Sequence, residues 1–389
     1  MRFVFASDSF KGSLNSKKIN ELLTRAAKEV FEDAECIGII TADGGEGTVE
    51  AVVLAVNGRF VKAKVHDPLG KEIEAVYGII DSFPDGNKKG SVAVIETAAA
   101  SGLTLLKNEL RDAFLTSTYG TGELIKDALC RGITDICIGL GGSATNDGGM
   151  GALRALGAKF VDKAGNELKG CGNDLERVCG IDLSGLDERL SNSNINAMSD
   201  VTNPLCGKNG ATYTFGPQKC SENRDLERLE KGMQNYKEIL KFKTGTDPDK
   251  IRGAGAAGGL GAALVLLLHA KMRSGIETVL ELSGFDEKAA GACLVITGEG
   301  RLDSQSLNGK TVQGVAARAK KLGVPVYAIC GSDALEAADR ERLGLDAVFT
   351  LQNGEMPLKE AMERAEEMYY HKAKEAFMFF GKAHDIKKG

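Results

Sequence analysis

The sequence predicts an α/β fold with two α/β domains. One is a doubly wound Rossmann/flavodoxin-like domain, and the second is inserted into it. Three observations predict this. The 389 residues exceed the usual size of a single domain, roughly 100–150 residues. Short apolar segments alternate with amphipathic ones. Glycine supplies 49 of the 389 residues, about 13%, whereas its usual share is about 7%. Many of these glycines follow apolar segments.

The alternation of apolar and amphipathic segments defines the predicted elements. The predicted strands are residues 3–6, 36–41, 92–96, 135–140, 197–199, 293–297, 326–330 and 347–350. The predicted helices are residues 15–31, 46–56, 119–131, 149–156, 222–240, 258–272, 310–322 and 358–378. Gly132, Gly157 and Gly323 follow three of these helices, where left-handed C-caps are common. Because strands and helices alternate, we expect parallel βαβ units.

Two interruptions of this pattern suggest where the chain passes between domains. A turn cluster at residues 66–70 separates two extended runs, and a second break lies near residues 283–285. The segments before and after these breaks are each too short for a comfortable domain, whereas together they would complete a doubly wound sheet. We therefore predict a discontinuous domain of residues 1–66 plus 290–389, with residues 67–289 as the inserted domain.

Composition excludes several classes of protein. With 43% hydrophobic residues the chain can form a core, and its net charge of −5 supplies no basic surface for nucleic acid. Nine cysteines, an odd number without a C-x-x-C motif, indicate reduced thiols. The N-terminus lacks the pattern of a signal peptide, and only half of the uncharged segment 253–270 is strongly apolar, which favours a buried helix over a membrane span. We expect a cytoplasmic protein without nucleic-acid or membrane partners.

Five turns share one design, in which an apolar strand is followed by glycine and small residues mixed with carboxylates or amides. They lie at residues 7–13, 42–48, 139–149, 199–207 and 297–304. Each alone is consistent with an ordinary helix N-cap. In an open α/β sheet, however, the carboxyl ends of the strands form the ligand site, so the acidic residues of these turns would face one cleft. These residues are Asp8, Asp43, Glu46, Asp147, Asp200, Glu299 and Asp303. So many carboxylates require cations, and Mg²⁺ together with substrate phosphates is the natural partner.

Short motifs leave alternatives open. Gly309-Lys310-Thr311 resembles the end of a Walker A motif, but Ser304 stands where its first glycine is required. The Gly139–Ala144 turn follows a strand and precedes a helix, which permits a nicotinamide-dependent oxidoreductase, although Asp147 would stand where a pyrophosphate approaches. A non-catalytic ligand-binding module is a third class. The four histidines form no catalytic or metal-binding spacing, so a base must come from Asp or Glu.

Taken in their order along the chain, these glycine-rich and acidic turns resemble those of the bacterial type I glycerate kinases. The matching stretches are residues 8–13, 42–48, 139–149, 199–205, 216–219, 255–261 and 297–306 followed by Gly309-Lys310, and the likeness covers about residues 1–375. Cys220 departs from the family, which tends to have glycine there.

The resemblance implies ATP-dependent phosphorylation of D-glycerate with Mg²⁺, in a two-domain protein that binds its ligands between the domains. It is similar to the branch that makes 2-phosphoglycerate, with formation of 3-phosphoglycerate as the alternative. The oligomeric state is left open, a homodimer included.

Under this resemblance the turn residues receive expected roles. Lys11, Asp43 and Asp200 are the candidate catalytic residues, with Lys11 as a cation at the transferring phosphoryl group or the glycerate carboxylate, and Asp200 or Asp43 as base. The candidate substrate-binding residues are Asp8, Ser9, Asn203 and Arg301. The candidate nucleotide-binding residues are Gly141, Gly142, Ser143, Asn146, Gly255, Gly258 and Gly259, whose backbone N–H groups suit phosphate oxygens. The candidate metal-binding residues are Asp147, Glu299 and Asp303.

Overall fold

The computed structural model describes residues 1–10, 12–41, 45, 47–81, 90–220, 225–307, 310–352 and 356–384. The fold is mixed α/β with two large sheets. The strands are β1 (Arg2–Phe5), β2 (Glu35–Gly38), β3 (Arg59–His66), β4 (Glu72–Ile80), β5 (Val92–Glu96), β6 (Asp135–Gly139), β7 (Lys159–Val161), β8 (Gly180–Asp182), β9 (Asn194–Met198), β10 (Lys271–Arg273), β11 (Leu294–Thr297), β12 (Arg301–Leu302), β13 (Val326–Cys330), β14 (Ser332–Asp333) and β15 (Ala347–Thr350). The helices are α1 (Ser16–Val30), α2 (Thr48–Ala55), α3 (Ala98–Ser101), α4 (Tyr119–Cys130), α5 (Met150–Ala155), α6 (Ala211–Phe215), α7 (Leu226–Thr244), α8 (Leu260–Leu268), α9 (Gly275–Leu282), α10 (Phe285–Ala289), α11 (Thr311–Lys321), α12 (Ala337–Leu343), α13 (Leu358–Glu363) and α14 (Ala365–Ala383).

The first large sheet has five parallel strands in the order β15-β13-β11-β1-β2. Numbered along the chain within this sheet, the order is the flavodoxin-like 2-1-3-4-5 arrangement, which is doubly wound. Phe3 and Phe5 of β1 pack towards Phe377 of α14, whereas Val4 packs with Val315 of α11 on the other face. The strand order reverses between β1 and β11, so the ligand crevice is expected where these two strands end.

The second large sheet has six strands in the order β10-β9-β6-β5-β4-β3. The pairs from β10 to β5 are parallel, and the pairs from β5 to β3 are antiparallel. In β3 the buried Val61, Ala63 and Val65 alternate with exposed Lys62 and Lys64, because one face of this edge strand packs on the core and the other meets water.

The pairing of β3 bears on the domain boundary. The predicted boundary put residues 59–66 with the first domain, but β3 pairs along its whole length with β4 of the six-stranded sheet. The strands of the five-stranded sheet come from before residue 39 and after residue 293. The division of the chain into domains stays a prediction, and we now propose a first crossing between β2 and β3.

Helix α9 joins the two halves of the molecule. Its Ile276 and Leu280 share an apolar cluster with Val315 of α11, which covers the five-stranded sheet. Its Val279 and Leu282 share another cluster with α2 and with β4 and β5 of the six-stranded sheet. Apolar burial therefore holds α9 against both sheets.

Two predicted helices differ from those observed. The predicted helix at 258–272 is α8, which ends where His269 takes a left-handed conformation, so that its N–H reaches Leu264 O and β10 can begin. The predicted helix at 358–378 is divided at Arg364 into α13 and α14. Within the described ranges, no helix is both long and apolar enough to cross a membrane.

Candidate active site

The residues that follow β1 and β11 lie side by side at the strand-order reversal. The N–H of Asp8 donates to Gly298 O at 2.9 Å, and the carboxylate of Asp8 accepts a hydrogen bond from Ser9 N at 2.7 Å. Asp8 and Glu299 line a cavity of about 400 Å³, which we call the acidic cavity. The crevice expected from the strand order is therefore present.

The acidic cavity has a charged side and an apolar side. Asp303, Arg301 and Lys310 join Asp8 and Glu299 on the charged side. The apolar side is formed by Phe10, Leu351, Ala361, Met362, Ala365 and Met368. Such an arrangement suits a ligand with a flat apolar group at one end and charged groups at the other.

Glu299 is a buried carboxyl group in the wall of this cavity. Burial raises the pKa of Glu299 above its ordinary value, and the Asp8 and Asp303 carboxylates raise it further. A hydrogen bond from the Ser306 hydroxyl and the charge of Lys310 lower this pKa in part. The Oε1 atom of Glu299 is buried without a hydrogen-bond partner among the described residues. A proton or a cation would satisfy it.

These carboxylates fit a magnesium ion that is shared with a ligand. No three His, Cys, Asp or Glu side chains within the described ranges are arranged to hold a metal by themselves. Mg²⁺ is usually bound by one or two carboxylates together with substrate phosphates and water, so it does not need such a cluster. The unsatisfied Oε1 of Glu299, with Asp303 nearby, provides the donor set that this mode requires.

A central cavity of about 680 Å³ connects the two sheets. Asp8 and Ser9 line one end, and Gly141 and Gly142, which follow β6, line the other. Its remaining walls include the N-termini of α1 and α2, with Asn15, Ser16, Lys17, Gly45 and Gly47. Asn15 caps α1 by accepting from Lys18 N at 2.8 Å, and the first turn of α1 carries no acidic residue. Helix N-termini favour anions, so the α1 side of this cavity suits phosphate groups, whereas Glu50 in the first turn of α2 also lines the cavity and opposes an anion on that side.

A smaller cavity of about 260 Å³, which we call the lysine cavity, continues from Gly141 and Gly142. Lys219 and Asp200 lie in its wall, together with Ser143. Lys219 Nζ donates to Ser143 Oγ at 2.9 Å and to Thr145 O at 2.7 Å, and its residue is only 2% exposed. Burial lowers the pKa of Lys219 to about 8.

Asp200 is held in this wall by the start of α9. Its Oδ1 accepts from Ser274 Oγ at 2.8 Å and from Gly275 N at 2.9 Å. These contacts fix the orientation of the carboxylate. Since α9 packs on both sheets, the position of Asp200 depends on how the two halves of the molecule meet.

The three cavities form one cleft, because the acidic and central cavities share Asp8 and Ser9, and the central and lysine cavities share Gly141 and Gly142. Of the predicted site residues, nine line this cleft: Asp8, Ser9, Gly141, Gly142, Ser143, Asp200, Glu299, Arg301 and Asp303. The predicted catalytic residues Lys11 and Asp43 lie outside the described residues.

Asp147 was expected at the metal, but the structure brings it to neither Glu299 nor Asp303. Its fully buried carboxylate accepts from Thr118 N and Thr118 Oγ1, both at 2.8 Å, from Gly149 N at 3.0 Å and from Gly151 N at 3.2 Å. Burial raises the pKa of Asp147, and these hydrogen bonds act in the opposite direction. The carboxylate uses N–H groups at the start of α5 that a dinucleotide pyrophosphate would need, which argues against the nicotinamide alternative.

Five more predicted residues pack behind the cleft and line none of its three cavities. Asn146 is buried and donates to Thr212 Oγ1 at 3.3 Å, and Asn203 donates to Asn209 O at 2.7 Å. The glycines at 255, 258 and 259 allow close backbone packing instead of ligand contact. A Cβ on Gly258 would lie 2.1 Å from Thr145 O, and Gly258 and Gly259 both have positive φ. Asn146 and Gly258 pack at the turn that carries Ser143 and Thr145, whereas Gly255 packs against Pro204.

The prediction of site residues missed Lys219 and the apolar side of the acidic cavity. Lys219 belongs to the Gly-Pro-Gln-Lys stretch at residues 216–219, which was singled out without a role for its lysine. The available signal was a lysine two residues after Pro217, in a stretch that matches the family. The apolar side is drawn from several separate segments, and no local pattern identifies it.

The chain is similar to proteins of one family over nearly its whole length. The model of the "Glycerate kinase family" matches residues 3–380. The glycerate 2-kinase of Escherichia coli K12 is 45% identical over 365 residues, which cover 94% of each chain. A glycerate kinase of Bacillus subtilis 168 is 43% identical over 367 residues, again 94% of each chain. The crystal structure of a putative glycerate kinase 2 from Salmonella typhimurium LT2 superposes with a TM-score of 0.84 at 42% identity, covering 99% of both chains.

Proposed function

Because this chain belongs to the glycerate kinase family, we propose that it transfers the γ-phosphoryl group of ATP to the 2-hydroxyl of D-glycerate, with Mg²⁺ as the activating ion. One observation carries the proposal. A single cleft joins the acidic cavity, whose carboxylates can hold a cation, to the turn at Gly141 and Gly142 and to the buried ammonium group of Lys219. Phosphoryl transfer needs mainly positioning and charge stabilisation, and this cleft supplies both.

The acidic cavity is the proposed site of the adenine base and the metal. The apolar side, with Phe10, Met362 and Met368, would contact the base, and its volume of about 400 Å³ is in the range of small-ligand pockets. Glu299 and Asp303 would hold Mg²⁺ together with phosphate oxygens. When bound, this ion neutralises charge on the phosphates.

The phosphate chain of ATP would extend from Asp8 and Ser9 into the central cavity. The N-terminus of α1 and the turn at Gly141 and Gly142 offer N–H groups there. In this arrangement the phosphate role predicted for Gly141, Gly142 and Ser143 is retained. Arg301 is exposed and lies in the acidic cavity, so we assign it to the nucleotide side and not to the glycerate carboxylate.

Asp200 is the proposed base. During transfer the acceptor oxygen forms a bond to the γ-phosphorus, the bond from that phosphorus to the bridging oxygen breaks, and ADP leaves. The proton of the acceptor hydroxyl passes to Asp200, whose orientation is fixed by Ser274 and Gly275. Asp43 as an alternative base and Lys11 as a cation at the transferring group remain predictions.

The site of phosphorylation on glycerate is proposed from the relatives. The Escherichia coli protein, at 45% identity, carries the name glycerate 2-kinase, which favours 2-phosphoglycerate over 3-phosphoglycerate as the product.

An acceptor panel in a coupled assay of ADP release tests this proposal. We expect Mg²⁺-dependent ADP release with D-glycerate. Lactate offers only a 2-hydroxyl and 3-hydroxypropionate only a 3-hydroxyl, so slow turnover of lactate alone would support the 2-kinase assignment. Phosphorus NMR of the product formed from D-glycerate identifies the isomer directly. A lack of ADP release with D-glycerate would contradict the function, whereas a 3-phosphoglycerate signal would contradict only the regiochemistry.

A further inference from the structure

The ammonium group of Lys219 has hydrogen-bonding capacity that its protein contacts do not use. An ammonium carries three N–H donors. Two acceptors are supplied by Ser143 Oγ and Thr145 O, at 2.9 and 2.7 Å. Lys219 also lines the lysine cavity, so its third donor can serve a ligand there.

The charge of Lys219 is incompletely compensated by the protein. Neither acceptor is a carboxylate, and a buried charge without a paired counter-charge is unfavourable. Asp147 attracts the ammonium, but its carboxylate accepts hydrogen bonds from Thr118, Gly149 and Gly151. An anionic group in the lysine cavity would complete the compensation.

The opposite charge of Asp200 in the same cavity orients such a ligand. A small hydroxy acid would have its carboxylate repelled by Asp200 and attracted by Lys219, while its hydroxyl could donate to Asp200. The volume of about 260 Å³ suits a three-carbon acid better than a nucleotide. Gly141 and Gly142 connect this cavity to the central cavity, from which the phosphoryl group would arrive.

We propose that the lysine cavity is the acceptor subsite and that Lys219 binds the carboxylate of a small 2-hydroxy acid in it. This inference rests on the proposed function. It assigns to Lys219 the selection of an acid over an uncharged alcohol.

The test compares D-glycerate with its amide, D-glyceramide, in the parent protein and in Lys219→Met. Methionine has a similar length but no charge. We expect the KM for D-glycerate to rise by about 10- to 100-fold, the range for losing a hydrogen bond to a charged group. The KM values for ATP and D-glyceramide should stay within about threefold of the parent, so the preference for the acid collapses. Lys208→Met, which removes an exposed lysine outside the cleft, should leave all three values unchanged.

The inference would be overturned if a folded Lys219→Met still preferred D-glycerate over D-glyceramide as the parent does. It would also be overturned if only the KM for ATP rose in this variant. Should this variant not fold, the parent decides through its pH dependence. Above pH of about 8 the ammonium loses its proton, so the KM for D-glycerate should rise while that for D-glyceramide does not. The titratable groups near Lys219 are Asp147, Cys220 and, across the cavity, Asp200. Of these, only the Cys220 thiol gains a negative charge in alkaline solution, so the pH series is repeated in Cys220→Ser, where the same rise must remain. A pH-independent difference between acid and amide would contradict the inference.

Calorimetric titration without ATP separates this inference from the proposed function. If the parent does not phosphorylate D-glycerate but binds it in a Lys219-dependent manner, the function is wrong and the subsite stands. If the parent phosphorylates D-glycerate and Lys219→Met discriminates as well as the parent, the subsite is wrong and the function stands. Absence of both binding and turnover with D-glycerate contradicts both.

Discussion

The N–H of Asp8 donates to the carbonyl oxygen of Gly298 at 2.9 Å, which holds together the first turns after β1 and β11. Glycine is needed at residue 298 because its Cα lies against β13, where a side chain would not fit. A Cβ at this position would be 1.9 Å from Ile329 O, whereas a Cβ on Gly300 would meet nothing closer than Phe10 Cα at 3.7 Å. The contact between these two turns therefore requires glycine at residue 298, whereas residue 300 has room for a side chain.

Gly298→Ala should therefore destabilise the protein, and Gly300→Ala should not. The added methyl group of Gly298→Ala must displace the backbone at Ile329, and such overpacking typically costs about 1–3 kcal/mol. Denaturant unfolding of both variants measures this difference. Equal stability of the two variants would show that the close approach at Gly298 is not required.

How far the sequence predicts the fold depends on how local each signal is. The central strands β1, β11 and β13 of the five-stranded sheet were predicted from apolar runs, because parallel strands buried on both faces are continuously apolar. The strands β3 and β4 correspond to the two extended runs around the turn at residues 66–70, but the alternating lysines of β3 do not indicate which sheet this hairpin joins. The pairing of β4 with β5 decides this, and neither run alone contains that information.

The residues of the candidate site also differ in whether the sequence alone can place them. Carboxylates in the turns after strands, such as Asp8 and Glu299, line the acidic cavity, as expected for the carboxyl ends of parallel strands, and their roles stay predictions. Asp147 stands in a turn of the same composition, yet its carboxylate points at backbone N–H groups. An acidic residue in a glycine-rich turn suits either role, and only the folded structure distinguishes them. The burial of Lys219 likewise depends on the turn at Ser143 and Thr145, far away in the sequence.

Asp147→Asn should lower the stability of the protein without changing its affinity for Mg²⁺. An amide replaces one acceptor oxygen with a donor that faces the N–H donors of this site, and each buried unsatisfied group costs about 1–3 kcal/mol. We expect a clear fall in Tm with a similar decrease in the amount of active protein. The apparent affinity of the remaining active protein for Mg²⁺ should be unchanged. A normal Tm combined with weaker Mg²⁺ dependence would restore the metal role predicted for Asp147.

Met362→Asp tests the proposed site of the base. Met362 lines the acidic cavity and is 37% exposed, as is Met378, which lies on α14 away from the cleft. Placing a carboxylate at residue 362 removes apolar contact and adds repulsion towards phosphates, so the KM for ATP should rise by about tenfold, equivalent to about 1.4 kcal/mol. The KM for D-glycerate should not change. Met378→Asp is the matched control, and an equal effect of both substitutions on the KM for ATP would exclude the acidic cavity as the base site.

Glu299→Gln should stabilise the ligand-free protein while impairing catalysis. Because the pKa of Glu299 is raised in the folded state, folding binds its proton more tightly than the unfolded chain does, and stability falls as pH rises from the ordinary value of 4.5 through the raised one. Glutamine does not titrate, so its advantage in Tm over the parent should be small at about pH 4 and should grow towards about pH 8 in EDTA. The exposed Glu188→Gln removes the same charge and should show no such trend. A pH-independent difference in Tm would contradict the assigned burial of this charge.

Asp200→Asn should separate the role of a base from that of a structural residue. Asparagine retains an oxygen that can accept from Ser274 Oγ and Gly275 N, so α9 should remain anchored and Tm should change little. The variant has no carboxylate to take the acceptor proton, and general-base catalysis typically contributes about 10²- to 10⁴-fold. We therefore expect kcat to fall by that range, together with loss of the acidic limb of the pH–rate profile, while the KM for ATP stays near the parent value. Ser274→Ala removes only one contact of Asp200 and should reduce kcat far less. Turnover of Asp200→Asn within about threefold of the parent, with an unchanged pH–rate profile, would exclude Asp200 as the base and direct attention to Asp43.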